Sequence, residues 1–176
     1  MTSIRPIFPK GSPADVVRLT AELEALLPAL AKADPKHPGL AEKSLERAAP
    51  FVSPAIKRLE MLAKKGAAEG WLLPKSAGPN VRFGRFLKDL GGYSVDFVLM
   101  EGPAAGHTHT NGEINLGFAA TGKPLFDGRP PGWVVFPPAS HHIPTVTGGQ
   151  MLLVYFLPGG AVAWDAAAKP KSGSAP

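Results

Sequence analysis

"GHTHTNGEINL", residues 106–116, sets two histidines one residue apart and a glutamate four residues after the second. Successive side chains of an extended chain face opposite ways, so His107 and His109 share one face. Two imidazoles on one face can grip one cation. Asn111-Gly112 supplies turn chemistry, and a carboxylate just beyond the turn, Glu113, can close the ring. A second histidine pair, His141-His142, follows "GWVVFPPAS", residues 132–140. Only one of that pair can join the same site without a bulge, because neighbours on a strand point apart.

The surroundings of this stretch have a strand-like texture. From Trp71 onward short apolar runs alternate with Gly and Pro: "GWLLPK", "VRFGRFL", "YSVDFVLM", "GEINLGFAA", "GWVVFPP", "QMLLVYFLP", "AVAWD". Many short strands between turn signals imply a sandwich or barrel. Before residue 71 the period is helical. Ser12-Pro13 opens a first helix with Val16, Leu19, Leu23 and Leu30 on one face, and "ADPKHPGL" breaks it. A weaker helix covers about Leu40 to Ala49. Ser53-Pro54 opens another, lined by Ile56, Leu59, Leu62 and Ala63, with Gly66 as its expected stop. The expected organisation is a helical region, residues 1–70, packed on a barrel, residues 71–167, with a disordered tail, residues 168–176.

Composition narrows the chemistry. The chain has 176 residues and no cysteine, which excludes disulfides and thiolate metal sites. Nothing approaches the roughly 18 apolar residues of a membrane helix, and "MTSIRPIFPKGSP" carries no apolar signal core. A cytoplasmic location without membrane partners is expected. Net charge is +5, but the basic residues are scattered, and nucleic-acid binding needs a concentrated basic face. No nucleic-acid partner is expected.

The histidine stretches also carry a resemblance. Gly102-x4-His107-x-His109-x3-Glu113 and Gly132-x4-Pro137-x-Ala139-x2-His142 are similar to the two motifs of the cupin superfamily. Each leading glycine stands one residue closer than usual, and Ala139 replaces a glycine. The resemblance implies a mainly β fold, a double-stranded β-helix barrel (jelly roll), with His107, His109, Glu113 and His142 as metal ligands. His141 would then face away. Three imidazoles and a carboxylate suit Fe, Mn, Zn, Ni or Co as divalent ions. From about Pro54 onward, "GWLLPKSAGPNVRFGRF", "HTHTNGEINL" and "FDGRPPGWVVFPPASHHIPTVTGGQMLLVYFLPGGAV" resemble the 4-hydroxylaminobenzoate lyase family, with Ile143 where a basic residue is usual.

That resemblance implies conversion of 4-hydroxylaminobenzoate to protocatechuate (3,4-dihydroxybenzoate) and ammonia in nitroaromatic degradation, with a small aromatic acid as partner. Breaking N–O needs a proton or a Lewis acid at the departing hydroxyl, which an open metal site supplies. Glu113 reads as ligand first and proton shuttle second. The substrate carboxylate needs a cation, and Arg82, Arg85 and Arg129 are candidates because a guanidinium matches a carboxylate in two places. Arg82 and Arg85 differ by an odd number, so at most one should point inward. Tyr93 and Tyr155 are candidates to hydrogen-bond substrate, with a half-buried wall as the plainer reading. Asp127, in "FDG", reads as a turn residue. A cupin dioxygenase and a non-enzymatic binding cupin are the alternatives; ammonia release against oxygen consumption separates the first. A homodimer is expected from the superfamily's habit of edge pairing.

Overall fold

The computed structural model describes residues 12–166. The expected tail, residues 168–176, lies outside them. Four helices come first: α1 Pro13–Glu24, α2 Leu27–Leu30, α3 Pro38–Ala48 and α4 Pro54–Ala68. Nine strands follow: β1 Lys75–Ser76, β2 Val81–Leu90, β3 Tyr93–Pro103, β4 His107–His109, β5 Glu113–Phe126, β6 Gly132–Phe136, β7 Ser140–His142, β8 Thr145–Pro158 and β9 Ala163–Trp164. They form a six-stranded antiparallel sheet, ordered β1-β2-β3-β8-β5-β6, and a three-stranded sheet, ordered β7-β4-β9. Bulges bend β3 between Met100 and Gly102, and bend β5 between Ala119 and Leu125. Such bulges let long strands curl into a barrel.

Strand parity decides where everything goes. On β8, Leu152, Val154 and Phe156 face outward and join Val95 and Phe97 of β3 and Leu116 and Phe118 of β5. The helices cover that face with Leu19, Leu23, Leu45, Ile56 and Leu59, all at most 1% exposed. Met151, Leu153, Tyr155 and Leu157 of the same strand face inward, with Val98, Met100 and Val134. Both faces of β8 are therefore buried, which is why "MLLVYFL" reads as an unbroken apolar run rather than an alternating one. Each fully buried Leu, Ile or Phe is worth about 1.5–3 kcal/mol, so the helices contribute to stability from outside the barrel.

Polar ties fix the helices. The Trp133 indole donates to Ala49 O at 2.9 Å, and the Tyr93 hydroxyl donates to Leu30 O at 3.2 Å. Glu42 of α3 accepts from Arg129 and from the backbone N–H of Val135, which covers part of the β6 edge. Ser53 caps α4 by accepting from Ile56 N at 3.4 Å, whereas Ser12 makes no side-chain cap on α1. Gly66 does not stop α4, which runs on to Ala68. A Cβ there would lie 2.7 Å from the Trp71 ring. Its glycine serves close packing, and the helix ends before Gly70, at φ 81°.

Candidate metal centre and its cavity

The decisive stretch folds as the sequence suggests. His107 and His109 lie on β4, a three-residue strand, and Gly112 takes the left-handed φ of 84° that the turn requires. Glu113 opens β5 beyond that turn, and His142 ends β7, directly opposite His107 in register. One ligand atom from each of His107, His109, Glu113 and His142 lies within 4.8 Å of the others. His107 Nε2 and His109 Nε2 are 3.1 Å apart, and Glu113 Oε2 is 3.2 Å from His109 Nε2 and 3.7 Å from His107 Nε2.

The outer nitrogens explain the inner ones. His107 Nδ1 sits 3.1 Å from Ala105 O. His109 Nδ1 sits 2.9 Å from Ser140 Oγ, whose hydroxyl donates to Pro137 O at 2.6 Å and so must accept from the ring. His142 Nδ1 sits 2.6 Å from Asp127 Oδ2. Each ring thus keeps its proton on Nδ1 and turns a bare Nε2 lone pair to the centre. Asn115 Nδ2 donates to Glu113 Oε1 at 2.8 Å. Glu113 Oε2 and His142 Nε2 are buried without a hydrogen-bond partner among the described residues. Lone pairs and a carboxylate aimed at one dry point repel unless a cation or protons lie between them. The donor set fits a divalent ion.

Charge in the cluster follows the same logic. Burial alone would push the Glu113 carboxyl up, but the imidazoles of His107 and His109 and the Asn115 amide outweigh it and bring its pKa to about 2. Burial alone would push His107 down, but Glu113 and the Ala105 carbonyl hold it above the usual imidazole value.

A cavity of about 580 Å³ opens between the two sheets beside this cluster. His107, Glu113, Tyr155, Asp96, Arg85 and Lys75 supply its polar wall; Val81, Phe83, Val98, Leu157 and Trp164 supply its apolar wall. Trp164 of β9 also lies against His107, ring centres 5.1 Å apart.

The expected substrate residues divide by face. Arg85 points into the cavity, where Nε and Nη2 donate to Asp96 at 2.9 and 3.3 Å. Arg82 lies on the other face of β2, near Leu73 O at 3.5 Å, so it is no part of this cavity. Tyr155 lines the cavity, but Tyr93 belongs to the helix-facing side with Val95 and Phe97. Its parity on β3 is opposite to that of Asp96. Arg129 is taken by Glu42 at 2.6 Å. His141 points away and pairs with Asp165 at 3.0 Å. Asp127 is more than a turn residue: besides His142 it holds Thr145 N at 2.8 Å, and does so at φ 48°. Sequence reasoning missed Asp127, Ser140 and Asn115 as supports and Asp96 as a cavity wall. Only "FDG" hinted at the first, and its partner lies 15 residues on.

A two-sheet antiparallel barrel with three imidazoles and a glutamate converging inside it is a cupin. The family model described as PnbB, 4-hydroxylaminobenzoate lyase, matches residues 28–164, so the chain belongs to the 4-hydroxylaminobenzoate lyase family, a family of enzymes. The match takes in α2, α3 and α4 as well as the barrel. The 4-hydroxylaminobenzoate lyase of Nocardioides sp. (strain LMS-CY) is 32% identical over 123 residues, covering 62% of this chain and 72% of that one. The enzyme of the same name from Pseudomonas putida is 26% identical over 135 residues, covering 64% and 76%. Among solved structures, an RmlC-like cupin protein from Ralstonia eutropha JMP134 aligns at TM-score 0.43 with 14% identity, over 56% of this chain and 69% of that one. Salicylate 1,2-dioxygenase from Pseudaminobacter salicylatoxidans aligns at TM-score 0.39 with 13% identity, over 62% and 36%.

Proposed function

We propose that the protein converts 4-hydroxylaminobenzoate and water to protocatechuate and ammonia, with a divalent cation held by His107, His109, Glu113 and His142. The observation that carries this reading is the convergence of three imidazole Nε2 atoms and Glu113 Oε2 beside a cavity that His107 and Glu113 help to line. A bound divalent ion supplies Lewis acidity and an activated water there. Three changes must occur: N–O breaks, oxygen enters the ring carbon beside nitrogen, and the resulting imine hydrolyses to release ammonia.

The chain's own groups have clear tasks in that sequence. Val81, Phe83, Val98 and Leu157 offer apolar faces to a single aromatic ring and exclude bulk water from it. Arg85 is the proposed carboxylate anchor. It stands opposite Asp96, which stands opposite Tyr155, which stands opposite Asn115. At about 4.8 Å per strand, Arg85 and Asn115 are roughly 14 Å apart along the sheet. Glu113 is proposed as ligand first and as proton shuttle second, with Asn115 fixing Oε1. A cytoplasmic homodimer completes the proposal on the sequence grounds given above; no helix among the described residues is long and apolar enough to cross a membrane.

The test is an anaerobic assay on 4-hydroxylaminobenzoate with protein loaded separately with Fe(II), Mn(II), Zn(II), Ni(II) or Co(II). The expected result is ammonia and protocatechuate in equal amounts, abolished by a chelator. Turnover that requires oxygen, or no ammonia with any metal, contradicts the reading.

A further inference from the structure

Tyr155 is buried in an unusual way. It is 9% exposed, it lines the cavity, and among the described residues its hydroxyl has one partner, Met100 Sδ at 4.0 Å. A thioether is a weak acceptor, and buried tyrosine hydroxyls normally find a real one. Its two cross-strand neighbours are engaged with other groups, although Asn115 Oδ1 has no hydrogen-bond partner among the described residues. Asp96, directly opposite on β3, accepts from Arg85 on β2 and from Ser94 at 3.0 Å. Asn115, directly opposite on β5, donates to Glu113. Tyr155 therefore occupies the strand between the proposed carboxylate anchor and the ligand cluster, with a hydroxyl that only a weak acceptor holds.

We propose that Tyr155 is a catalytic residue of the lyase reaction, donating its phenolic proton to the hydroxylamine oxygen as the N–O bond breaks. The inference rests on the reading of the site as a 4-hydroxylaminobenzoate lyase. In this step the N–O electron pair leaves with oxygen, the Tyr155 proton joins it, and water departs. A second water then adds to the ring carbon beside nitrogen and returns one proton to the phenolate. Tyr155 ends as it began, and the imine remains to be hydrolysed to ammonia. Burial, with the Glu113, Asp127 and Asp96 carboxylates around it, pushes the phenol well above its usual range. The resting form is thus the O–H donor, and its conjugate base is strong enough to recover the proton.

The test is Tyr155→Phe. It removes one oxygen whose one hydrogen-bond partner among the described residues is a thioether, and the ring keeps its packing against Phe126, centres 6.4 Å apart. The expected result is kcat for ammonia release lowered about a hundredfold, with KM changed by less than about threefold. Bound metal and melting temperature should match wild type, which separates lost chemistry from lost structure. Unchanged kcat overturns the proposal, and so does a rise in KM alone, which would make Tyr155 a binding group only. If wild-type protein itself releases no ammonia, the lyase reading falls and this step falls with it; turnover by wild type with an equally active variant removes only the role of Tyr155.

Discussion

The two faces of the six-stranded sheet use the same strands for different ends. On the helix side β8 presents Leu152, Val154 and Phe156, each at most 1% exposed, to other hydrocarbon. On the barrel side it presents Tyr155 between Leu153 and Leu157, and its neighbours there are Asp96, Arg85, Asn115 and Glu113. The outer face is a stability device, with Tyr93 and Trp133 donating to Leu30 O and Ala49 O at its rim. The inner face holds unpartnered groups, Glu113 Oε2 and His142 Nε2, at a cost that apolar packing behind the sheet offsets. Mutations on the two sides should therefore separate activity from stability.

The largest effect belongs to the inner face. His107→Ala should lose the cation and lower ammonia release roughly a thousandfold or more, because activated water is lost with the ion. The metal-free variant should lose the part of metal-free stability that the raised His107 contributes at low pH, so its melting temperature should depend less on pH than that of metal-free wild type. Elemental analysis and calorimetry check both halves. Next comes the outer face. Phe156→Ala should cost about 3–5 kcal/mol in urea unfolding, a large share of the roughly 5–15 kcal/mol of a typical domain. Activity per folded molecule should be unchanged.

Asp127→Asn falls between the two faces. Asparagine tolerates the left-handed φ, but one carbonyl oxygen cannot accept from both His142 Nδ1 and Thr145 N. Metal affinity should fall about ten- to a hundredfold, measurable by competition with a chelator.

Acid should sharpen the contrast between loaded and metal-free protein. Ligands must shed protons to bind, so metal retention should decline as pH falls through the imidazole range. His107 is held above its usual value and so takes up a proton readily, while Glu113, near pH 2, stays ionised. In metal-free protein the sign reverses. The raised His107 contributes stability that is fully present below its ordinary pKa and is lost as pH rises through the folded value. The depressed Glu113 contributes stability that is fully present above its ordinary pKa and is lost progressively as pH falls from there to about 2. Melting scans from pH 5 to 8, with and without chelator, should slope in opposite directions.

The smallest effect is Ala139→Gly. Ala139 sits at φ 62° and donates its N–H to His109 O at 2.7 Å. Glycine, the residue usual at this place in the cupin motif, should raise stability by less than about 1 kcal/mol and leave the metal in place.

What could be read in advance follows from range along the chain. His107, His109 and Glu113 are legible because strand alternation and a two-residue turn fix them locally. The odd spacing of Arg82 and Arg85 correctly allowed only one to face inward. Choosing between Tyr93 and Tyr155 was different: each lies on a strand buried on both faces, so parity alone does not say which side is the barrel. That choice depends on the register among β2, β3, β8 and β5. Ser140 and Asp127 act on rings brought to them across strands, and no local pattern marks them. The helices were legible as helices, but their seat outside the barrel follows from the apolar parity of β8.

The central claim is that four side chains share one ion. It is tested most directly by elemental analysis of protein equilibrated with Co(II) or Zn(II) and then freed of loose metal. One ion per chain is predicted for wild type, and close to none for His107→Ala/His142→Ala at unchanged secondary structure. A double variant that still holds a full equivalent would place the ion elsewhere and contradict the account.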